Sequence, residues 1–134
     1  MEYKTKTNIE EAVIDFFNAW KHNDYKLMLE ACQPSWKTYA DKDPKARIKE
    51  SFRDKKLWKY EILNISDKTN KTNKFLKSRG SKKLFDGIYH VNMKIWYRTK
   101  FVKAVICRSI TCILVKEDGS IKVNPTSVMK EKKV

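Results

Sequence analysis

The first half of the chain carries apolar residues at helical spacing. The members of its first stripe lie three or four positions apart or adjacent, which places them on one face of a helix: Ile9, Ala12, Val13, Phe16, Phe17 and Trp20. Asn8 and Glu11 form a capping box that predicts where this helix begins, with Thr7 and Glu10 as the alternative register. Residues 1–7 are therefore expected to be a polar lead-in.

Two more helices follow from the same pattern. The first helix should end near His22, and Asp24 is a favourable N-cap for a second helix that Pro34 ends. Because the connection is short, these two helices should be neighbours in a hairpin. After a turn-rich passage, Asp43-Pro44 supplies an N-cap and a proline at the first helical position, which predicts a third short helix to about Arg53.

From Leu57 onward the apolar residues indicate strands, and over 84–98 they alternate with polar ones. Neither face is wholly polar over 101–116, which predicts a central strand covered on both sides for part of its length. Glu117 to Ser120 is a hairpin turn with Asp-Gly at its centre. Four strands are predicted, over about 57–66, Leu84–Arg98, Phe101–Lys116 and Ile121–Val128. Helices followed by antiparallel strands predict an α+β fold, with the helices packed on one face of the sheet.

A strongly basic segment separates the first two predicted strands. It holds seven Lys and Arg residues and no acidic one: Lys68, Lys71, Lys74, Lys77, Arg79, Lys82 and Lys83. The sequence predicts a basic loop over 68–83. One interpretation is that it binds a polyanion, with Phe75 and Leu76 able to stack on a base or enter a membrane interface. The alternative is a mobile loop kept in solution by its lysines.

Bulk composition fits a single domain over 1–134, which ends in a charged tail at 129–134. The formal net charge of +14 favours an anionic partner such as nucleic acid. However, 25 of the basic residues are Lys and only 5 are Arg, and proteins that recognise nucleic acid usually use Arg more than Lys. No signal peptide or transmembrane segment is expected, and the three cysteines suit reduced, buried thiols in a cytoplasmic protein. Neither a metal site nor a cofactor motif is predicted.

Two stretches resemble a known superfamily. The pattern A-V-x-x-F-F-x-A-W-x-x-x-D-Y-x-x-M over 12–28 and the closing L-V-K-E-D-G-S-I-K-V-N-P over 114–125, with Ile121 where tryptophan is usual, resemble the nuclear transport factor 2-like superfamily, which includes ketosteroid isomerases and polyketide cyclases. The resemblance implies a curved sheet wrapped into a cone. Its open end would be a pocket lined by the first helices.

That pocket would need acid, base or hydroxyl groups if it were catalytic. Residues of suitable type are Tyr39, Tyr60, Asp86, His90 and Arg108, and none of them aligns to a defined catalytic motif. Alternation places His90 opposite the apolar face of its strand, which favours a solvated position. Trp96 and Arg98 share that outer face and are candidate interface residues, because an exposed tryptophan marks a contact surface and superfamily members dimerise there.

Three functions are therefore open. The leading one is a non-enzymatic binding or assembly domain whose basic surface takes an anionic partner, which is a nucleic acid, an acidic protein or a membrane surface. The second is a small-molecule pocket protein, with isomerase, cyclase or dehydratase chemistry as one version. The third is a structural subunit of a bacterial secretion or conjugation assembly.

Overall fold

The structure is a computed structural model that describes residues 1–39 and 43–129 and, for Tyr39, the backbone alone. Six helices and four strands follow one another along the described residues. Their bounds are α1 Tyr3–Lys21, α2 Tyr25–Glu30, α3 Pro34–Tyr39, α4 Pro44–Phe52, β1 Lys55–Asp67, α5 Thr69–Ser78, β2 Gly87–Thr99, β3 Ile106–Glu117, β4 Ser120–Asn124 and α6 Pro125–Met129. The predicted α+β class is confirmed.

The strands form one curved antiparallel sheet in the order β1-β2-β3-β4. The turn between β3 and β4 is the predicted one, and both Asp118 and Gly119 have positive φ there, as a two-residue hairpin turn requires. Two register shifts interrupt the pairing of β1 with β2, at Trp58 and at Leu63. Each shift adds a residue to β1 alone, which bends that strand.

The core lies between α1 and the inner face of the sheet. Phe16, Phe17 and Trp20 of α1 are fully buried against inward residues of β1 and β2. The indole Nε1 of Trp20 donates to the carbonyl oxygen of Lys55 at 2.8 Å, which fixes α1 to the start of β1. The predicted packing of the helical stripe onto the strands is therefore correct.

Several predicted helix boundaries are corrected. The first helix begins at Tyr3, within the expected polar lead-in, and no side chain caps it, so the capping box at Asn8 is wrong. Polar residues are compatible with the exposed turns of a helix, and for that reason they did not mark its start. Asp24 and Asp43 do cap α2 and α4, through Leu27 N and Ala46 N at 3.1 Å each.

Other boundaries moved because proline begins helices as well as ending them. Pro34 lies after the end of α2 and opens α3, where a turn-rich passage was expected. Pro125 opens α6, so the last predicted strand stops at Asn124. The third predicted strand begins at Ile106, and Phe101 before it is 82% exposed.

The largest correction concerns the predicted basic loop at 68–83. Most of it is helix α5, followed by a short connection to β2. The charged tail predicted for 129–134 lies, apart from Met129, outside the described residues. Within the described part of the chain, none of the helices is long and apolar enough to cross a membrane.

Candidate polyanion-binding surface

Helix α5 is held against the connection before β2 and the first residues of β2 by hydrogen bonds from two of its side chains. The amide of Asn73 donates to the carbonyl of Phe85 and accepts from its N–H, both at 2.9 Å. Thr69 Oγ1 accepts from the N–H of Ile88 at 3.0 Å. Thr69 and Asn73 are both half-buried. Together with Leu76 they are spaced i, i+4 and i+7, so the three side chains lie on one face of α5.

The end of α5 is also fixed. Gly80 has φ +78, and its N–H donates to the carbonyl of Lys77 at 3.0 Å, while Ser81 N donates to the carbonyl of Leu76 at 3.0 Å. This pair of bonds is a Schellman motif, which needs a left-handed residue after the helix and so favours glycine. Most of the basic segment is therefore a helix with a defined C-terminal end.

Because one face of α5 is anchored, its lysines face outward. Lys71, Lys74 and Lys77 are exposed and lie three residues apart, within one side of the helix. Arg79 is also exposed, and its guanidinium lies 5.3 Å from the centre of the Phe75 ring, which is 57% exposed. The sequence holds no acidic residue between Asp67 and Asp86, so this face is uniformly positive.

A second basic surface is the outer face of the sheet, opposite the core. The outward positions of β2 are His90, Asn92, Lys94, Trp96 and Arg98, since the alternate positions are buried. Asn92 donates to Asn64 of β1 at 2.8 Å and accepts from Thr111 of β3 at 2.9 Å. This polar ladder crosses three strands and gives the middle of the face a hydrogen-bonded surface.

Two tryptophans and a lysine lie at one end of that face. The ammonium of Lys59 is 4.4 Å from the centre of the Trp96 ring and 5.9 Å from that of Trp58. Trp58 occupies the bulge of β1 and is 55% exposed, while Trp96 is half-buried. Lysine over an indole face is a cation–π contact, and it places a positive charge beside two aromatic rings.

The two basic surfaces meet at His90. Partial burial lowers the pKa of His90, and the positive charges of Lys68 and Lys71 lower it further. These lysines lie at the start of α5, so the positive charge of the helix reaches the His90 end of the outer sheet face. Glu61 of β1 lies opposite Lys94 and interrupts the positive charge of that face.

The residues proposed for a pocket do not converge. Tyr60 faces inward, donates to Asn18 Oδ1 at 2.9 Å and lies against Phe17, and burial raises its pKa. His90 lies on the opposite face of the sheet. Arg108 is exposed near the rim and donates to the carbonyl of Cys107, and Asp86 is exposed on the connection before β2. The side chain of Tyr39 lies outside the described residues.

Aromatic rings fill the space in which the resemblance implied a pocket. The rings of Phe17 and Trp20 are 5.9 Å apart, and Trp20 lies 4.8 Å from Phe52. All three side chains are at most 2% exposed. The space between the first helices and the inner sheet face is therefore core.

A separate groove of about 710 Å³ lies between α3, the connection after α5 and the β3–β4 hairpin, with Gln33, Trp36, Leu76, Lys83 and Glu117 in its wall. Burial acts to raise the pKa of Glu117, but hydrogen bonds from Ser35 and Gln33 outweigh it and lower that pKa. Gln33 Oε1 is buried there without a hydrogen-bond partner. Lys82 and Lys83, both exposed, extend the positive charge of α5 toward this groove.

The sequence predicted the burial of two of the three cysteines correctly. Cys32 and Cys112 are buried, and burial raises the pKa of Cys32 to about 12, whereas Cys107 is exposed on the outer sheet face. The expectation that all three are buried is wrong for Cys107, since alternation turns it away from the core. Among the described residues, no three His, Cys, Asp or Glu side chains are close enough to hold a metal ion.

Comparison with solved structures finds a similar fold in a SEC-C motif containing protein from Rhodopseudomonas palustris. The TM-score is 0.55 at 11% sequence identity, and the match covers 81% of this chain and 68% of that chain. At this identity the likeness shows the fold alone. No family model matches the chain, and no curated protein matches it significantly.

These comparisons correct the resemblance to the nuclear transport factor 2-like superfamily. The structural match is to a protein of a different family, and none of the matches is to that superfamily. The physical reason lies in the motifs themselves. The stripe from Ala12 to Met28 and the hairpin from Leu114 to Pro125 are the core of a helix packed on an antiparallel sheet, so unrelated chains with that packing share them.

Sequence reasoning missed three contributors to this surface. Trp58 and Lys59 lie at a bulge of β1 that the sequence did not predict. Because a bulge changes which face of the sheet a residue occupies, these two residues were not assigned to a face. Asn73 stood in a segment interpreted as a loop. The sequence did contain one signal for α5, namely Gly80 directly after Arg79, a usual helix C-terminus.

Proposed function

We propose that the chain is a binding domain that holds an anionic macromolecule on the outward lysines of α5. The observation that carries this proposal is the anchoring of α5 by Asn73 and Thr69, which keeps Lys71, Lys74 and Lys77 on one exposed side. An ordered row of cations loses less conformational entropy on binding than a mobile loop does. The net charge of +14 adds a long-range attraction for the same partner.

Each candidate partner from the sequence uses this chemistry. Nucleic acid, an acidic protein and an anionic membrane surface all present closely spaced negative charges to lysine and arginine. The reduced thiols of Cys32 and Cys112 agree with a cytoplasmic setting for the interaction. The homodimer through the outer sheet face that the sequence suggested is not included in this proposal, because pairing that face with itself would bring Lys59 and Arg98 close to like charges.

The test replaces Lys71, Lys74, Lys77 and Arg79 together with glutamine. The matched control replaces Lys4, Lys45, Lys49 and Arg53, which are also exposed and include the same residue types. Both variants therefore lose equal net charge. Binding to heparin and to a labelled oligonucleotide is measured by fluorescence anisotropy at low salt.

If the proposal is right, the α5 variant loses at least about tenfold in affinity and the control stays within a few-fold of the wild type. Equal losses in the two variants would mean that net charge, not α5, attracts the partner. Absence of any complex for the wild-type chain at low salt would refute the proposal outright.

A further inference from the structure

We infer that the outer sheet face takes single-stranded nucleic acid, with unpaired bases stacked on Trp58 and Trp96. This inference rests on the proposed function and names its partner. The starting observation is the group formed by Trp58, Lys59 and Trp96, which places two indole rings beside one ammonium. Single-strand binding uses this combination, because rings stack on bases of any sequence while adjacent cations hold the backbone.

The geometry of β1 makes one of these rings available. The register shift at Trp58 puts an extra residue into β1, so Trp58 and Lys59 lie between Leu57 and Tyr60, which pair with the buried Tyr97 and Ile95. Trp58 is 55% exposed, although a tryptophan in a strand is usually covered by its neighbours. An exposed ring on an otherwise regular sheet face is a platform for another flat group.

A path for the backbone connects this platform to α5. Outward residues of β2 run from His90, beside the start of α5, to Arg98 at the tryptophan end. At the rise of a strand that distance is about 27 Å. Lys94 and Arg98 are exposed along it, and Glu61 of β1 is the acidic residue opposite Lys94. Asn92 lies in the polar ladder between these residues and His90.

Duplex nucleic acid and a second copy of the chain suit this face less well. In a duplex the bases are stacked on each other, so their flat faces cannot reach Trp58 or Trp96, whereas unpaired bases can. A second copy would meet the same cations in two-fold symmetry, and like charges across an interface oppose association. The cations on this face, with the exposed ring of Trp58 and the half-buried ring of Trp96, therefore favour a partner that is both anionic and aromatic.

The experiment compares three anions that differ in what they offer. A short oligothymidine has phosphates and free bases, its duplex with oligoadenosine has phosphates and hidden bases, and inorganic polyphosphate has no bases. Binding is followed by competition against a labelled oligonucleotide and by intrinsic tryptophan fluorescence. The variants are the double change Trp58→Leu with Trp96→Leu, the aromatic rescue Trp58→Phe with Trp96→Phe, and the control Trp36→Phe in the separate groove.

The inference predicts that oligothymidine binds at least about tenfold more tightly than the duplex and quenches tryptophan fluorescence, while polyphosphate binds without quenching. The double leucine variant should lose the preference for oligothymidine over the duplex, yet bind polyphosphate as the wild type does. The double phenylalanine variant should keep part of that preference. A far-ultraviolet circular dichroism spectrum like that of the wild type shows that the variant has folded, because a basic chain binds polyphosphate even when it is unfolded.

Other outcomes separate the failure of this inference from failure of the proposed function. Equal binding of all three anions without quenching would overturn the stacking and leave the basic surface of α5 intact. Binding of none of them would overturn both. A wild-type dimer in light scattering that becomes a monomer in the double leucine variant would assign the face to contacts between copies and overturn the inference.

Discussion

At the residue scale, a few buried aromatic side chains determine whether the interior of this protein is a core or a pocket. Phe17 touches both Trp20 and Tyr60, with ring centres 5.9 and 5.3 Å apart, and it is fully buried. Its ring occupies the space between α1 and the sheet, where a ligand pocket was expected. The helical spacing of the stripe predicted burial of this residue correctly, but spacing cannot say whether a buried ring lines a cavity or fills it.

Truncation of Phe17 measures how well that space is filled. Phe17→Ala should lower the free energy of unfolding by about 3–5 kcal/mol, because it removes apolar contacts and leaves a cavity. Ile14→Ala on the exposed side of α1, where the side chain is 41% exposed, is the matched control and should cost far less. Urea denaturation of both variants checks this, and similar costs for the two would contradict a filled core.

His90 should give polyanion binding a pH dependence. Partial burial, with help from Lys68 and Lys71, holds the pKa of His90 below its ordinary value, so the ring is neutral at pH 7. A bound polyanion favours the charged ring and raises that pKa, so binding must take up a proton. Affinity should therefore increase as pH falls below the ordinary histidine value of about 6.5.

The check is a binding titration at several pH values for the wild type and for His90→Gln. The wild-type affinity should rise several-fold toward lower pH, and the variant should show a flatter profile. An NMR titration should move the His90 ring signals upon complex formation and leave those of His22 in place. Identical pH profiles for wild type and variant would show that His90 is not next to the ligand.

At the scale of elements, α5 shows where the sequence stops being informative. Six of its ten residues are Thr, Asn, Ser or Phe, which are weaker helix formers than Lys and Leu, and the segment lacks a continuous apolar stripe, so it was interpreted as a loop. Two side chains hold the helix in place: Asn73 bonds the backbone of Phe85 in the connection before β2, and Thr69 bonds the backbone of Ile88 in β2. Those partners lie 12 and 19 residues away, and no local pattern reports them.

The same limit explains which other elements were predictable. Asp24, Asp43 and the Asp118-Gly119 turn carry local chemistry that fixes their geometry, and all three were assigned correctly. The bulges of β1 depend on its pairing with β2, so the exposed position of Trp58 was not foreseen. The lysines of the candidate site could therefore be named from the sequence, while their shared face on α5 could not.

Detachment of α5 should be visible in a single variant. Asn73→Ala removes two hydrogen bonds to Phe85, which should cost about 1–3 kcal/mol and weaken polyanion binding. Asn70→Ala, at an exposed position of the same helix, is the control and should stay within about 0.5 kcal/mol of the wild type. Hydrogen exchange of the amides of α5 reports the effect locally. Unchanged protection in Asn73→Ala would contradict the anchoring role.

At the scale of the whole molecule, the buried apolar residues and the exposed basic residues lie on opposite faces of the sheet. The inner face of the sheet and the stripe of α1 form the core, whereas the outer face and α5 carry cations, polar ladders and exposed rings. The similar SEC-C motif containing protein shares the architecture at 11% identity, so the architecture alone does not select a partner. We propose that the residues on the outer face and on α5 make that selection.

The central claim is that α5 binds a polyanion, and the salt dependence of binding tests it most directly. Affinity for a single-stranded oligonucleotide is measured between about 50 and 200 mM salt for the wild type and for the variant with glutamine at 71, 74, 77 and 79. The account predicts a linear fall of log K with log salt, and a variant slope shallower by about 3 if each lost cation releases about 0.7 of a counterion. Equal slopes, or no wild-type complex at the lowest salt, would contradict it.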